Sequence, residues 1–597
     1  MTDIAEIFSN TWAIILVLLF FGGSIFVHEL GHFLAAKMRG LKVIKFSIGF
    51  GPAIFSRKGK DGCEYLVGAL PLGGYVAIPQ LADLSTLEGT DSSEGKNLPK
   101  ASCADKVIVS AAGAFFNLLL AAFLGLFVWI FGVPTSDSEA TTVVGYVSKT
   151  LTGADGKSVD SPAHKAGLLP GDKILSVDGS KVSDFMQIIE KIAIGSGRTA
   201  NGSPKAVLEI QRGADIFPVE VFPELIKTNP SSGDEIRMIG ISPAMTMKIG
   251  TLMEGSPAKA GGAKPGDIVV SINGQKLYSN MQLSDILAKV EEGETVELGV
   301  IRNGTPTSLK IAPAKIALTK SLCKVKLPEG AGFLSFISVS PKNPSKTSAE
   351  TIKLFSEEAA YPQFSKIEAG DILYRVGQTR VESLSQLNAL INAGLGPDGA
   401  AMFFSDENMK LKSVHLPAGS TSEILPPREK MMLGYILENV IVVRHPSIAK
   451  QFRDSLERTY SAMASLVNPR SDVGIASLAG PVDIGRVIYK LSLTDISLML
   501  SFAVLLNVNL AILNMLPVPV LDGGHILFAL IEKIRGKPLP PSFFMAVQSF
   551  FSILFMVLMG YVVYLGFLRW NGDSKYESSM EKTSQYYLKD ISFKKHE

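Results

Sequence analysis

The segment that decides the fold is residues 21–40, "FGGSIFVHELGHFLAAKMRG", within an apolar run that begins at Trp12. The run from 12 to 36 is long enough to cross a bilayer, which requires roughly 20 mostly apolar residues. It nevertheless carries the polar pentad "HELGH" at 28–32. Ionisable side chains inside a membrane span are costly, so this cluster predicts a functional site at membrane depth.

Three further apolar stretches, near 106–132, 495–516 and 543–567, predict three more membrane spans. The whole chain of 597 residues is 47% hydrophobic and 19% charged, which is too apolar for an ordinary soluble protein. The first span has no small-residue cleavage site behind it, so we expect it to be retained. A formal net charge of +2 gives no reason to expect nucleic acid as a partner. The three cysteines lie far apart, and they predict neither a disulfide framework nor a cysteine-based metal site.

The distribution of basic residues predicts the orientation of the spans. Lysine and arginine are concentrated in the loop after the first span and in the short loop before the last span. These residues are Lys37, Arg39, Lys42, Lys45, Arg57, Lys58, Lys60, Lys533, Arg535 and Lys537. The positive-inside rule places both loops in the cytoplasm, so both chain ends and the long middle segment are expected outside it.

The middle segment contains an internal repeat. Residues 161–179, "SPAHKAGLLPGDKILSVDG", align without a gap with residues 256–274, "SPAKAGGAKPGDIVVSING". Each copy predicts a strand and a tight turn, followed by an amphipathic helix and another strand. A weaker third copy lies at 364–391 and lacks the Ser-Pro-Ala and Pro-Gly parts. The unit resembles bacterial PDZ domains, which bind extended peptides or C-termini by strand addition. The alternative, that the units are spacers without a ligand, stays open.

The pentad "HELGH" has the spacing of a zinc-binding helix. His28 and His32 are four residues apart and therefore share one helix face, with Glu29 beside them as a general base. The alternative is a chance match between structural histidines. A catalytic zinc needs a third protein ligand and one open position. The candidate is Asp522 in "NMLPVPVLDGGH" (514–525), although an Asp-Gly turn between two spans is the plain alternative there.

Together these motifs resemble the site-2 intramembrane metalloproteases, in particular their RseP-type members with PDZ domains. The resemblance implies one Zn²⁺ per chain, held by His28, His32 and Asp522, with Glu29 as the catalytic base. It also implies that Asn514 hydrogen-bonds the substrate backbone, although a structural cap is an alternative. The Gly-rich stretches at 46–52 and 65–76 correspond to a family β-hairpin that presents substrate, and Asn117 corresponds to a family position near the active site. The substrate-binding residues implied in this way are Gly49, Gly51, Gly73, Gly74 and Asn117. For Asn117, helix packing remains an equal alternative.

The predicted fold class is a polytopic α-helical membrane protein with about four transmembrane helices, inserted extracytoplasmic PDZ-like α+β domains and a membrane-associated β-hairpin region. The predicted segments are the first span (1–40), the β and Gly-rich region (41–103), the second span (104–135), two PDZ-like domains (140–228 and 235–318), a degenerate third unit (328–420), a linker and amphipathic region (430–494), the third span with its loop (495–542), the fourth span (543–570) and a polar tail (571–597).

The predicted function is hydrolysis of a peptide bond within single-pass transmembrane substrates in the bacterial cell inner membrane. The resemblance implies regulated proteolysis of an anti-sigma-factor-like protein after a first cut. The expected partners are these substrates, membrane lipid and peptide ligands of the PDZ-like units, with no nucleic acid. Two alternatives stay open: clearance of signal-peptide remnants, and a non-catalytic PDZ membrane scaffold.

Overall fold

The described part of the chain forms two compact parts. The computed structural model describes residues 4–81, 98–99, 101–153, 156–227, 235–318, 321–339, 351–359, 364, 366–368, 370–406, 409–587 and 593. The first part comprises Met1–Pro243 and Val440–Gly572, and the second comprises Ala244–Asn439 and Asp573–Glu597. The α-helices are α1 (Ile4–Met38), α2 (Cys103–Phe131), α3 (Pro162–Lys165), α4 (Phe185–Ala193), α5 (Pro257–Ala260), α6 (Asn280–Leu287), α7 (Leu384–Asn392), α8 (Ile448–Val467), α9 (Pro481–Thr494), α10 (Ile496–Asn514), α11 (Asp522–Arg535) and α12 (Pro541–Tyr587).

Four of these helices are long and apolar enough to cross a membrane. The qualifying stretches lie in α1, α2, α10 and α12. They are Ile15–Met38, Cys103–Phe131, Ile496–Asn514 and Ser542–Ser574. Helix α2 begins with a capping box in which Ser102 and Asp105 bond each other's backbone N–H groups. Helix α10 ends at Asn514, before two prolines that cannot continue it. The prediction of four apolar helices long enough to span a membrane is confirmed.

The Gly-rich region after α1 is a curled β-hairpin of β1 (Lys45–Lys58) and β2 (Glu64–Ala77). The start of β1, residues 45–48, pairs on one side with 64–67 and on the other with 74–77. The strands bend sharply enough for this because Gly49, Gly51 and Gly73 have positive φ angles of 85°, 87° and 102°, which glycine adopts readily. The segment 74–77 therefore lies at an edge of the hairpin.

The first β unit spans residues 144–243. Its strands, with the preceding β3, are β3 (Val133–Ser136), β4 (Val144–Val147), β5 (Thr150–Thr152), β6 (Ser158–Asp160), β7 (Lys173–Val177), β8 (Ser180–Lys181), β9 (Ala206–Arg212), β10 (Asp215–Val221), β11 (Glu224–Lys227), β12 (Glu235–Met238) and β13 (Ile241–Pro243). A sheet of order β10-β9-β7-β8 packs with α4 around a buried apolar core, and β13 pairs antiparallel with β4. Residues 235–243 thus belong to the first unit, not to the second unit that the sequence prediction began at 235.

The second β unit is not continuous in sequence. Its first strands are β14 (Met247–Leu252), β15 (Ile268–Ile272), β16 (Gln275–Lys276), β17 (Val296–Arg302), β18 (Thr305–Ile311) and β19 (Ala314–Ala317). The third β unit follows, with β20 (Leu322–Lys326), β21 (Gly332–Val339), β22 (Thr351–Ala359), β23 (Ile372–Val376), β24 (Thr379–Arg380), β25 (Ala400–Ser405), β26 (Leu411–Leu416) and β27 (Thr421–Leu425). Only then come β28 (Glu429–Met432), which pairs with β19, and β29 (Tyr435–Leu437), which pairs with β14.

The third β unit is therefore inserted into the hairpin between β19 and β28 of the second. Its own sheet has the order β26-β25-β23-β22-β21-β20-β27, so it runs from Leu322 to Leu425 instead of the predicted 328–420. Strands β28 and β29 complete the second unit, although the sequence prediction assigned 430–494 to a linker. The cause is long-range strand pairing, which a local sequence pattern does not reveal.

One buried ion pair recurs in all three β units. The aspartate of each Gly-Asp dipeptide, Asp172, Asp267 or Asp371, is at most 5% exposed in the folded chain. Its partner is a cation on another strand of the same sheet: Arg212 Nε at 2.7 Å, Arg302 Nη2 at 2.7 Å and Lys412 Nζ at 2.9 Å, respectively. A helix of eight or nine residues, α4, α6 or α7, follows at the equivalent place. The third unit thus has the elements of the other two despite its lost Ser-Pro-Ala.

Two helices connect the β units to the third apolar helix. Strand β30 (Ile441–Arg444) pairs with β3, and α8 and α9 then lead into α10. At the other end of the chain, α12 continues to Tyr587, so part of the predicted tail 571–597 is helical. Residues 588–592 and 594–597 of that tail lie outside the described residues.

Candidate metal centre and active site

Helix α1 presents the two histidines of "HELGH" on one face. The rings of His28 and His32 lie edge to face with their centroids 4.7 Å apart, and their Nε2 atoms are 3.2 Å apart. This is the consequence of the i, i+4 spacing on a continuous helix. Both Nε2 atoms point towards one small volume.

A tight turn brings Asp522 to the same volume. After α10 ends, the turn containing Pro517 and Pro519 leads into α11, of which Asp522 is the first residue. The two glycines that follow are required here. A Cβ on Gly523 would lie 2.3 Å from the carbonyl oxygens of residues 515 and 516, and one on Gly524 would lie 2.2 Å from that of residue 518. The "DGG" sequence therefore allows the backbone to fold back on itself.

The three side chains form a donor set that fits zinc. Asp522 Oδ2 lies 3.3 Å from His28 Nε2 and 3.5 Å from His32 Nε2. Tetrahedral donors with bonds of roughly 2.0–2.1 Å are about 3.4 Å apart, so these distances match a shared Zn²⁺. The same Oδ2 is buried and has no hydrogen-bond partner among the described residues. A buried carboxylate oxygen in that state is expected to face a cation.

Groups from α2 orient the two imidazoles. His32 Nδ1 lies 2.7 Å from the Val109 carbonyl oxygen, to which it donates, so Nε2 is left with its lone pair for a metal. His28 Nδ1 lies 3.2 Å from the side-chain amide of Asn117, whose Oδ1 is buried and has no hydrogen-bond partner in the part of the chain that the structure describes. The two ends of an amide are distinguished only by their hydrogen bonds. With Oδ1 turned towards the ring, Asn117 accepts the Nδ1–H of His28.

Asn117 is buried beside His28. It is 1% exposed and does not line the cavity described below. Asn514, at the end of α10, has its amide nitrogen 3.4 Å from His28 Nε2, so it also lies at the centre of the site. Both asparagines contact the same histidine from different helices.

Two glycines outside the predicted substrate-binding set, Gly31 and Gly113, allow this packing. A Cβ on Gly113 would lie 2.4 Å from His32 Nε2 and 2.6 Å from His28 Cε1. A Cβ on Gly31, inside the pentad, would lie 2.5 Å from the Ala112 carbonyl oxygen. Val109, Gly113 and Asn117 are spaced four residues apart, so they lie on one face of α2. This spacing is the sequence feature that could have identified the face of α2 that packs against α1.

A cavity of about 100 Å³ adjoins the three converging side chains. Its lining residues are His28, Glu29, His32, Gly74, Tyr75, Val76, Ile78, Val109, Ser110 and Asp522. A single water needs roughly 10–15 Å³ of such space, so the cavity has room for water next to Glu29.

The edge segment 74–77 of the hairpin forms one wall. A Cβ on Gly74 would lie 2.9 Å from Glu29 Cγ, so glycine is needed for this approach. Of the other predicted substrate glycines, Gly49, Gly51 and Gly73 lie at the hairpin bends.

Comparison with known proteins finds a matching family model and similar bacterial proteins. The sequence model of peptidase family M50 matches residues 16–558. The regulator of sigma-E protease RseP of Escherichia coli is 26% identical, over 94% of this chain and 99% of that protein. A putative zinc metalloprotease of Pasteurella multocida is 25% identical, over 91% of this chain and 96% of that protein. The regulator of sigma E protease of Haemophilus influenzae is 24% identical, over 91% and 96%.

Proposed function

Because this chain belongs to peptidase family M50, the site-2 protease family, we propose that it is an intramembrane zinc metalloendopeptidase that cuts within transmembrane segments. The observation that carries the proposal is the convergence of Asp522 with His28 and His32 beside Glu29. His28, Glu29 and His32 lie on a helix that is long and apolar enough to cross a membrane, and Asp522 is the first residue of the helix that follows another such helix.

In the proposed mechanism His28, His32 and Asp522 would hold one Zn²⁺. When bound, the metal would supply Lewis-acid chemistry at this site. Glu29 accepts a proton from a water in the cavity as the water oxygen bonds to the scissile carbonyl carbon, and it donates that proton to the amine nitrogen as the C–N bond breaks. Val109 and Asn117 hold the imidazole rings in the ligating orientation. Asn514 is the candidate donor to the substrate backbone.

A transmembrane substrate helix hides its amides in its own hydrogen bonds, so it must unwind before its carbonyl groups are accessible. The segment 74–77 lies against Glu29, at an edge of the hairpin. We expect it to bind the unwound substrate by strand addition, with Gly73 and Gly74 giving the backbone space for this approach. Gly49 and Gly51 contribute by shaping the hairpin.

The three β units are PDZ-like in this proposal. The support is their repeated order of strand, buried aspartate and helix, together with the resemblance of the first two copies to PDZ domains. The basic loops after α1 and before α12 favour an orientation with the β units and both chain ends outside the cytoplasm. The metal centre then lies near the cytoplasmic side of a bacterial inner membrane.

The relatives named as regulators of sigma-E protease favour a regulatory substrate, an anti-sigma-factor-like protein that has already been cut once. The alternative within the same chemistry is clearance of signal-peptide remnants. A survey of membrane fragments that accumulate in a Glu29→Gln strain separates the two. One accumulating species supports a dedicated substrate, and many short hydrophobic peptides support clearance.

The direct test is cleavage of a helical transmembrane peptide by the purified protein in detergent. We expect chelator to stop cleavage, added Zn²⁺ to restore it, and Glu29→Gln to abolish it while zinc remains bound. Cleavage that persists in chelator would refute the zinc mechanism. A Gly22→Ala variant is a suitable control, because nothing lies within 4 Å of a Cβ at that position of the same helix.

A further inference from the structure

The first and second β units are built alike around one glycine. The Gly240 carbonyl oxygen of the first unit accepts a hydrogen bond from the Ser148 N–H at 2.9 Å. The Gly434 carbonyl oxygen of the second accepts one from the Met253 N–H at 3.0 Å. Gly240 directly precedes β13, which pairs with β4, and Gly434 directly precedes β29, which pairs with β14. The two glycines are therefore equivalent positions of the repeat.

A serine and an apolar side chain cover this glycine in the first unit. A Cβ on Gly240 would lie 2.3 Å from Ser161 Oγ and 3.2 Å from Leu151 Cδ2. Leu151 is 8% exposed and lies on β5, which forms a hairpin with β6 between β4 and the Ser-Pro-Ala motif. The hairpin thus supplies the apolar cover.

The second unit is shorter at the equivalent place. Three residues, 253–255, separate β14 from Ser256, whereas thirteen residues, 148–160, separate β4 from Ser161. The structure describes all three residues of the shorter connection, and none of them forms a strand. The second unit therefore lacks a counterpart of the hairpin that carries Leu151.

The C-terminal tail supplies the missing side chain. A Cβ on Gly434 would lie 2.4 Å from Ser256 Cβ and 2.6 Å from Phe593 Cζ. A Cβ on Gly255, in the short connection, would lie 3.2 Å from the Phe593 carbonyl oxygen. Phe593 is half-buried and belongs to the same compact part as the second unit. Its ring has the place at Gly434 that the Leu151 side chain has at Gly240.

We propose that Gly255, Ser256 and Gly434 form a docking site for an aromatic side chain, and that its occupant is Phe593 of this chain's own tail. The tail after Tyr587 then acts as a strap that stabilises the second β unit from the end of α12. The anchor is the ring and not the chain end, because four residues follow Phe593. Docking requires the tail and the β units to lie on the same side of the membrane, which is the orientation that the basic loops favour.

Hydrogen exchange in the full-length protein tests this docking. The reporters are residues 253–258 of the second unit and 148–163 of the first, each of which donates two backbone hydrogen bonds to the segment around its glycine. We expect Phe593→Ala to speed exchange at 253–258 by about tenfold, because the burial of an aromatic ring is lost, and to leave 148–163 unchanged. Leu151→Ala is the matched variant and should do the reverse. Phe593→Leu should remain close to the wild-type protein, because leucine covers the equivalent glycine of the first unit.

A peptide added in trans separates the ring from the chain end. A peptide of residues 588–597, supplied to the Phe593→Ala protein at roughly millimolar concentration to replace the lost tether, should restore slow exchange at 253–258. Its C-terminally amidated form should act equally well, and the same peptide with Phe593→Ala should have no effect.

Three results would overturn the proposal. They are unchanged exchange at 253–258 in Phe593→Ala, equal acceleration in both β units, and restoration that requires the free C-terminal carboxylate. None of these measurements involves cleavage, so a failure here is distinguishable from a failure of the protease assignment.

Discussion

Replacement of Gly113 by alanine tests how closely α1 and α2 must pack at the metal centre. The new Cβ would lie 2.4 Å from His32 Nε2 and 2.6 Å from His28 Cε1, where ordinary contacts are 3.4–4 Å. The imidazoles must therefore move by roughly 1 Å, whereas metal–ligand distances tolerate only about 0.2 Å. A displacement of this size costs on the order of 10²-fold in rate, and loss of ligand orientation costs about 10–100-fold in metal affinity.

The assay is a zinc competition titration of the purified variant, together with cleavage of a transmembrane peptide and thermal unfolding. Alanine is a better helix former than glycine, so Gly113→Ala should not weaken α2 through helix propensity. Gly22→Ala and Gly23→Ala in α1 are the controls, since a Cβ at either position meets nothing within 4 Å. Wild-type zinc affinity in Gly113→Ala would refute the packing shown at this site.

Three further outcomes are expected. Glu29→Gln should keep zinc but lose about 10²–10⁴-fold in cleavage rate, because the general base is removed; loss of zinc with the activity would contradict its role as a base. Asn117→Ala should lower zinc affinity about 10–100-fold, measured by chelator competition, and should change the Michaelis constant little in steady-state kinetics. A raised Michaelis constant with unchanged zinc affinity would instead indicate that Asn117 contacts the substrate. Asp267→Asn should destabilise the second β unit by about 1.5–3 kcal/mol in hydrogen exchange, because Asp267 is a buried charged partner of Arg302. The hydrogen bond to Arg302 holds the pKa of Asp267 below its ordinary value, so this stabilisation is complete above that ordinary value and is lost as pH falls through the lowered one. The variant should not show that acid-dependent loss.

Local patterns in the sequence were sufficient for the apolar helices and for the shared face of His28 and His32. Both depend on helix periodicity within a few residues. Asp522 is different, since no spacing argument connects it to His28 almost five hundred residues earlier; it was a candidate because it is a carboxylate at the end of the third span, and the structure brings the two together. The side chains against which Gly113 packs could not be predicted for a related reason. Whether a missing Cβ matters depends on which helix lies opposite, and the sequence of α2 alone does not contain that information.

The β units show the same division between local and long-range information. The Gly-Asp dipeptide correctly drew attention to a weak third copy, in which Asp371 is buried against Lys412. The strands that complete the second unit lie beyond this copy, so a linear scan assigned them to a linker. The contact between Phe593 and Gly434 likewise joins segments that are far apart in the chain. Neither residue has a neighbouring motif that marks it.

The insertion of the third β unit into the second has a consequence for synthesis on the ribosome. Strand β14 pairs with β29, which is translated about 180 residues later, or roughly 10–40 s at ordinary elongation rates. The inserted unit is contiguous and can fold as soon as it emerges. The enclosing unit cannot close its sheet until the inserted one is complete, and until then one edge of β14 is exposed to incorrect pairing. A folding defect in the inserted unit should therefore appear first as misfolding of the unit that encloses it.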